Sequence, residues 1–178
     1  MVWTGRPTDG DSPGEVTDGG FHDAVLDEIE ARGLLAYGDR QSNSTGTTTI
    51  TGVLRLDSKQ LRAGRHYELG TSSLRLTGGV NDGVTATLRI TTDGTTPTTS
   101  STALLTGSAQ CTSNAIFENV TLRGLYTPSA DLLLSVLLCV ARTTGSAGNA
   151  SIGGDATYPI QLWIVDLGES VSDTGVDI

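Results

Sequence analysis

Residues 132–140 read LLLSVLLCV, a run in which Ser135 is the sole polar residue, in a chain otherwise crowded with Thr, Ser and Gly. A run this apolar must be buried, and the ways of burying it are few. A helix needs about 20 consecutive apolar residues to cross a bilayer, so the run is too short to span. As a buried helix it would draw on leucines as good helix formers and on Ser129 as an N-cap. As a strand it would carry apolar side chains on both faces. Leu132, Leu134, Val136, Leu138 and Val140 would face one way, and Leu133, Ser135, Leu137, Cys139 and Ala141 the other.

The surroundings favour the strand. TTTITGVLRL, VTATLRITT, NVTLRGLY and YPIQLWIVDLG are rich in β-branched and aromatic residues and often alternate. In VTATLRI, Val84, Ala86, Leu88 and Ile90 lie on one face, with Thr85, Thr87 and Arg89 on the other. Turn residues separate these stretches: Asn81-Asp82-Gly83, Asp93-Gly94, Thr127-Pro128-Ser129 and Gly153-Gly154-Asp155. Eight or nine short strands are expected from residues 34–168, and a lone hydrophobic helix would interrupt them. The pattern predicts an all-β domain, an antiparallel β-sandwich of jelly-roll type.

Such a sandwich requires only one apolar face per strand. The second face of 132–140 must be covered by the chain's own N-terminal segments or by another subunit. Each large apolar side chain buried contributes about 1.5–3 kcal/mol. This predicts assembly into a homo-oligomer, with Leu133 and Leu137 at the contact.

Residues 1–20 are Gly, Pro, Asp and Thr around one large side chain, Trp3, and predict an extended arm. In FHDAVLDEIEARG, residues 21–33, Phe21, Val25 and Ile29 recur every fourth position with acids opposite. That spacing predicts a short amphipathic helix, with Gly33 as its left-handed cap. The helix is too short to stand alone in water, so its apolar face must pack on something. Residues 169–178 form a polar tail.

Charge and chemistry narrow the function. The formal net charge is −9 and Lys59 is the only lysine, so the chain lacks the basic footprint that nucleic acid or an anionic membrane demands. No basic stretch leads into an apolar one near the start, so no signal peptide is expected. Cys111 and Cys139 lie in apolar or strand-like stretches and are expected to be reduced, buried thiols. His22 and His66 stand apart, and DGDSPGE lacks the spacing of a calcium loop. Nucleophile-elbow, phosphate-loop and dinucleotide motifs are all missing. Acids are plentiful enough for a glycosidase-like carboxylate pair, yet aromatics make up only 4% of the chain, few for a sugar cleft. The expectation is a protein without catalytic residues, metal or cofactor.

The segment ARGLLAYGDRQSNSTGTTTITGVLRLDSKQLRAGRHYEL, the later ATLRITTDGTTPTTSSTAL and the ending YPIQLWIVDLG resemble small virion proteins of tailed bacteriophages, particularly those infecting actinobacteria. The resemblance covers residues 31–168, and VWTGRPTDGDSPGEVTDGGFHDAVLDEI is similar to the arm and first helix that precede such domains. It implies a capsid decoration, head-fibre or minor tail protein, with no active site to carry over. As a decoration protein the chain would sit on the outer capsid surface as a symmetric homo-oligomer, a trimer, and bind the major capsid protein. Trp3, Phe21, Val25 and Ile29 would join Leu133 and Leu137 as contact residues. The alternative implied is a tail-tip or fibre head that binds host glycans.

Overall fold

The structure, a computed structural model, describes residues 33–112, 117–145 and 148–169, which form eleven β-strands and no helix. The expected arm, helix and tail lie outside the described residues, apart from two boundary positions. Gly33, expected as the helix cap, is the first described residue and opens the first strand, with a φ of 122° that glycine tolerates. Glu169, assigned to the tail, closes the last strand.

The strands are β1 (Gly33–Arg40), β2 (Thr51–Leu61), β3 (Arg65–Thr71), β4 (Leu74–Thr77), β5 (Gly83–Thr91) and β6 (Thr102–Gln110). They continue as β7 (Glu118–Val120), β8 (Arg123–Tyr126), β9 (Leu132–Thr144), β10 (Ser151–Gly153) and β11 (Ile160–Glu169). All pairings between these strands are antiparallel, in two four-stranded sheets ordered β1-β11-β3-β8 and β2-β9-β5-β6 and a three-stranded sheet ordered β10-β4-β7. Each strand of the small sheet adjoins a strand of the first sheet in sequence, and the shared order shows that it continues that sheet beyond a bend. The count exceeds the eight or nine expected because β4, β7 and β10 are only three or four residues long, too short for alternation to register.

The apolar run is a strand. β9 lies inside its sheet, between β2 and β5. Leu134, Val136, Leu138 and Val140 are fully buried and meet Val84, Ala86 and Leu88 of β5 in one core. Tyr67, Leu69, Leu162 and Ile164 supply that core from the first sheet, and Leu74, Leu76 and Ile152 from the small one. The sheets approach closely where Gly124 faces inward: a Cβ there would come within 2.7 Å of the Leu105 side chain.

The other face of β9 is unevenly covered. Cys139 and Ser135 are buried, Leu137 is half-buried with its methyl carbon 3.1 Å from where a Gly52 Cβ would sit, and Leu133 is 40% exposed. Cys111 and Cys139 are both free thiols, and burial pushes both pKa values up.

Two buried acids tie distant loops together. Asp166 accepts from Arg65 Nε at 2.9 Å and from the Gly168 amide at 2.8 Å, joining β11 to the start of β3. Asp82 accepts from the amides of Gly79 at 2.9 Å and Gly148 at 3.0 Å, pinning the turn before β5 to the segment after β9.

Leu138 pairs with Leu54 on one side and Leu88 on the other. Leu138→Ala is therefore expected to cost about 2–5 kcal/mol of unfolding free energy. Urea denaturation followed by circular dichroism measures this, and an unchanged midpoint would remove Leu138 from the core.

Candidate functional site

Alternation along a strand sends every second side chain outward. On β3, Tyr67 and Leu69 enter the core, so His66, Glu68 and Gly70 face out; on β11, Ile160, Leu162 and Ile164 enter, so Gln161, Trp163 and Val165 face out. Strand register then sets Tyr37, Trp163, Gly70 and Arg123 in one row across the first sheet, with Leu34, Val165, Glu68 and Leu125 in the next.

The indole of Trp163 lies over Gly70, where a Cβ would come within 2.7 Å of three ring atoms, so only glycine lets the ring settle on the sheet. Trp163 Nε1 donates to Glu68 Oε1 at 3.3 Å, and Arg123 Nε donates to Glu68 Oε2 at 2.8 Å. Gln161 Nε2 donates to the Tyr37 hydroxyl at 2.8 Å. The polar groups are thus paired with one another, while Leu34 (62% exposed), Tyr37 (49%) and Leu125 (64%) present apolar surface. The hydrogen bond from Arg123 holds the Glu68 carboxyl below its ordinary pKa, helped by Trp163 and opposed by desolvation.

A second cluster occupies the outer face of the small sheet. Register places Gly153, Arg75 and Asn119 side by side. The Arg75 guanidinium carbon lies 4.2 Å from the Phe117 ring centroid and 5.1 Å from that of Tyr158. Its Nη1 also bonds Asp155 Oδ2 at 3.0 Å. The other oxygen of Asp155 accepts from the amides of Thr157 and Tyr158, each at 2.8 Å, which fixes the turn carrying the tyrosine. The Tyr158 amide is the main cause holding the Asp155 carboxyl below its usual pKa, with Arg75 and the Thr157 amide adding to it against desolvation. Ser73, Arg75, Asn119 and Tyr158 line an open groove of about 390 Å³.

Of the contact residues expected from sequence, Trp3, Phe21, Val25 and Ile29 lie outside the described residues. Leu133 and Leu137 share a face of β9, on the opposite sheet from Trp163. Sequence reasoning missed both clusters above. A signal for the first was present: IQLWIV is apolar at nearly every position, so β11, like β9, offers two apolar faces. Nothing local marks the second, whose members come from three separate segments. Among the described residues, no three His, Cys, Asp or Glu gather closely enough to hold a metal ion.

No family model and no curated protein matches the sequence. Among solved structures, the chain is similar to the C-terminal domain of EclA, a sugar-binding protein, at 12% identity and a TM-score of 0.33, covering 73% of this chain and 77% of that one. It is also similar to the CBM22-1–GH10 modules of the Clostridium thermocellum endo-1,4-β-D-xylanase 10B, solved with xylohexaose, at 10% identity and a TM-score of 0.37. That match covers 82% of this chain and 28% of the xylanase chain. Likenesses this distant carry no assignment.

Because the Glu68 pKa is depressed in the folded chain, its pairing contributes fully above the ordinary carboxylate range and is lost as pH falls through the depressed value. Acidification below the ordinary value of 4.5 is thus expected to shift Trp163 fluorescence as the indole loses a charged acceptor. Glu68→Gln should abolish this step. A step of the same size and midpoint in that variant would detach Trp163 from Glu68.

Proposed function

We propose that the chain is a non-catalytic structural protein of a bacteriophage virion, of the capsid decoration type. It self-associates through the outer face of the β1-β11-β3-β8 sheet, and the oligomer, a trimer, binds the major capsid protein on the outer shell. Binding only to the folded lattice stabilises the shell by mass action. The resemblance to small virion proteins read from residues 31–168 of the sequence supports this reading. So does the strand path, which crosses repeatedly between the sheets β1-β11-β3-β8 and β2-β9-β5-β6, the arrangement of a jelly roll.

The observation that carries the proposal is the exposed set Leu34, Tyr37 and Leu125, drawn from two adjacent rows of one sheet face, around a neutral Glu68–Arg123 pair. Copies of a chain with a net charge of −9 repel one another, so they associate best through a face whose charges cancel and whose remaining surface is apolar. Tyr, Trp and Arg are also the side chains that most often anchor protein contacts. Leu133 and Leu137 stay in the proposal as a second contact, smaller because Leu137 already packs on its own chain.

A second reading is favoured by the Arg75–Tyr158 groove: a tail-tip or fibre head that binds host glycans. Antibody labelling of purified particles separates the two, with decoration predicting label over the head and the rival label at the tail tip alone. Leu125→Glu places a carboxylate in the proposed contact without touching the core, so sedimentation should show smaller species with the β signal in circular dichroism intact. Unchanged sedimentation of an assembled Leu125→Glu variant would remove this face from the interface.

A further inference from the structure

We infer that the groove lined by Ser73, Arg75, Asn119 and Tyr158 is a binding site for a neutral hexose unit of a cell-surface glycan, an inference that deepens the glycan-binding reading and rests on it. Tyr158 is 62% exposed although its backbone is held by Asp155. Arg75 lies over one face of the ring, and the exposed remainder offers a platform for the C–H face of a pyranose. Around it stand the groups that hydroxyls require. Arg75 lines the groove and has five N–H donors, and the bond from Nη1 to Asp155 uses one of them. Asn119 brings an amide that both donates and accepts, and Ser73 a hydroxyl.

Charge decides the class of sugar. Arg75 and Asp155 cancel at 3.0 Å, so the groove has no net attraction for a phosphate, a sulfate or a sugar carboxylate. The whole chain, at −9, opposes anionic ligands further. The guanidinium is also held by Phe117 and Tyr158, which keeps its donors oriented. The volume, about 390 Å³, lies at the lower end of the range of about 300–1,000 Å³ typical of small-ligand sites, a fit for one or two sugar rings.

The test uses the full chain on an array of neutral and acidic glycans, followed by calorimetric titration with the best-bound neutral oligosaccharide. Neutral hexose glycans are expected to bind. Tyr158→Ala should weaken binding by about tenfold or more, Tyr158→Phe should keep it within about twofold, and Arg75→Lys should weaken it despite the retained charge. Circular dichroism verifies the fold of each variant, and Tyr158 is exposed enough for its replacement to leave the core alone. Neutral-glycan binding that survives both Tyr158→Ala and Arg75→Lys would overturn this site while leaving the glycan-binding reading in place. Binding confined to acidic glycans would overturn the ligand class, and an array with no bound glycan would overturn both the site and the reading it rests on.

Discussion

The two-sided burial of β9 is the constraint on which the sandwich depends. A strand with leucines on both faces is stable only inside a sheet, with a second layer beneath it, and β9 has both. Its inward residues meet the side chains of the β1-β11-β3-β8 sheet, and its edges are occupied by β2 and β5 along most of its length. Bulges in β2 between Gly52 and Leu54 and between Leu56 and Lys59 accommodate the mismatch between the two strands. Outward, Leu137 finds room because position 52 is glycine, and the Gly94 amide donates to the Leu133 carbonyl at 2.9 Å, holding the β5–β6 loop across the strand's end.

Hydrophobic burial is non-directional and does not by itself set the ends of such a sandwich. Directional polar contacts do. The buried Arg65–Asp166 pair spans 101 positions of sequence, and with the Gly168 amide it satisfies a carboxylate that would otherwise be costly to bury. Ion pairs of this kind add little net stability over apolar replacements, so its effect here is on register, fixing where β11 meets β3. Asp82 has the same role at the other sheet, binding one backbone amide before β5 and one after β9.

Both candidate surfaces inherit rigidity from this frame. Trp163 and Glu68 project from strands whose opposite faces are core, and Arg75 from a short strand whose neighbours Leu74 and Leu76 are buried. Their chemistry differs. The first face is broad and apolar with its charges internally neutralised, suited to a flat partner; the second is a narrow groove of stacked planar groups with donors and acceptors at its rim, suited to a small polar ring.

Much of the fold was legible in the sequence. Alternation in VTATLRI and the two-faced apolar run at 132–140 identified strands and their inward residues, because side-chain direction along a strand is a local property with a period of two. The turn at Asn81, with a φ of 64°, and that at Gly94, with 79°, were equally local. The strand order, the bend that makes β4, β7 and β10 a separate sheet, and both surface clusters were not legible. Arg75 and Asp155 are 80 positions apart, and Trp163 and Glu68 are 95 apart. Nothing in the neighbourhood of either residue marks its partner. Such pairs arise only when antiparallel register lays distant strands side by side, and register is set by the packing of the whole core together with buried polar ties such as Arg65–Asp166. The sequence by itself determined which residues face inward; the tertiary structure alone decided which outward-facing residues meet, because that depends on pairing between strands rather than on order within one.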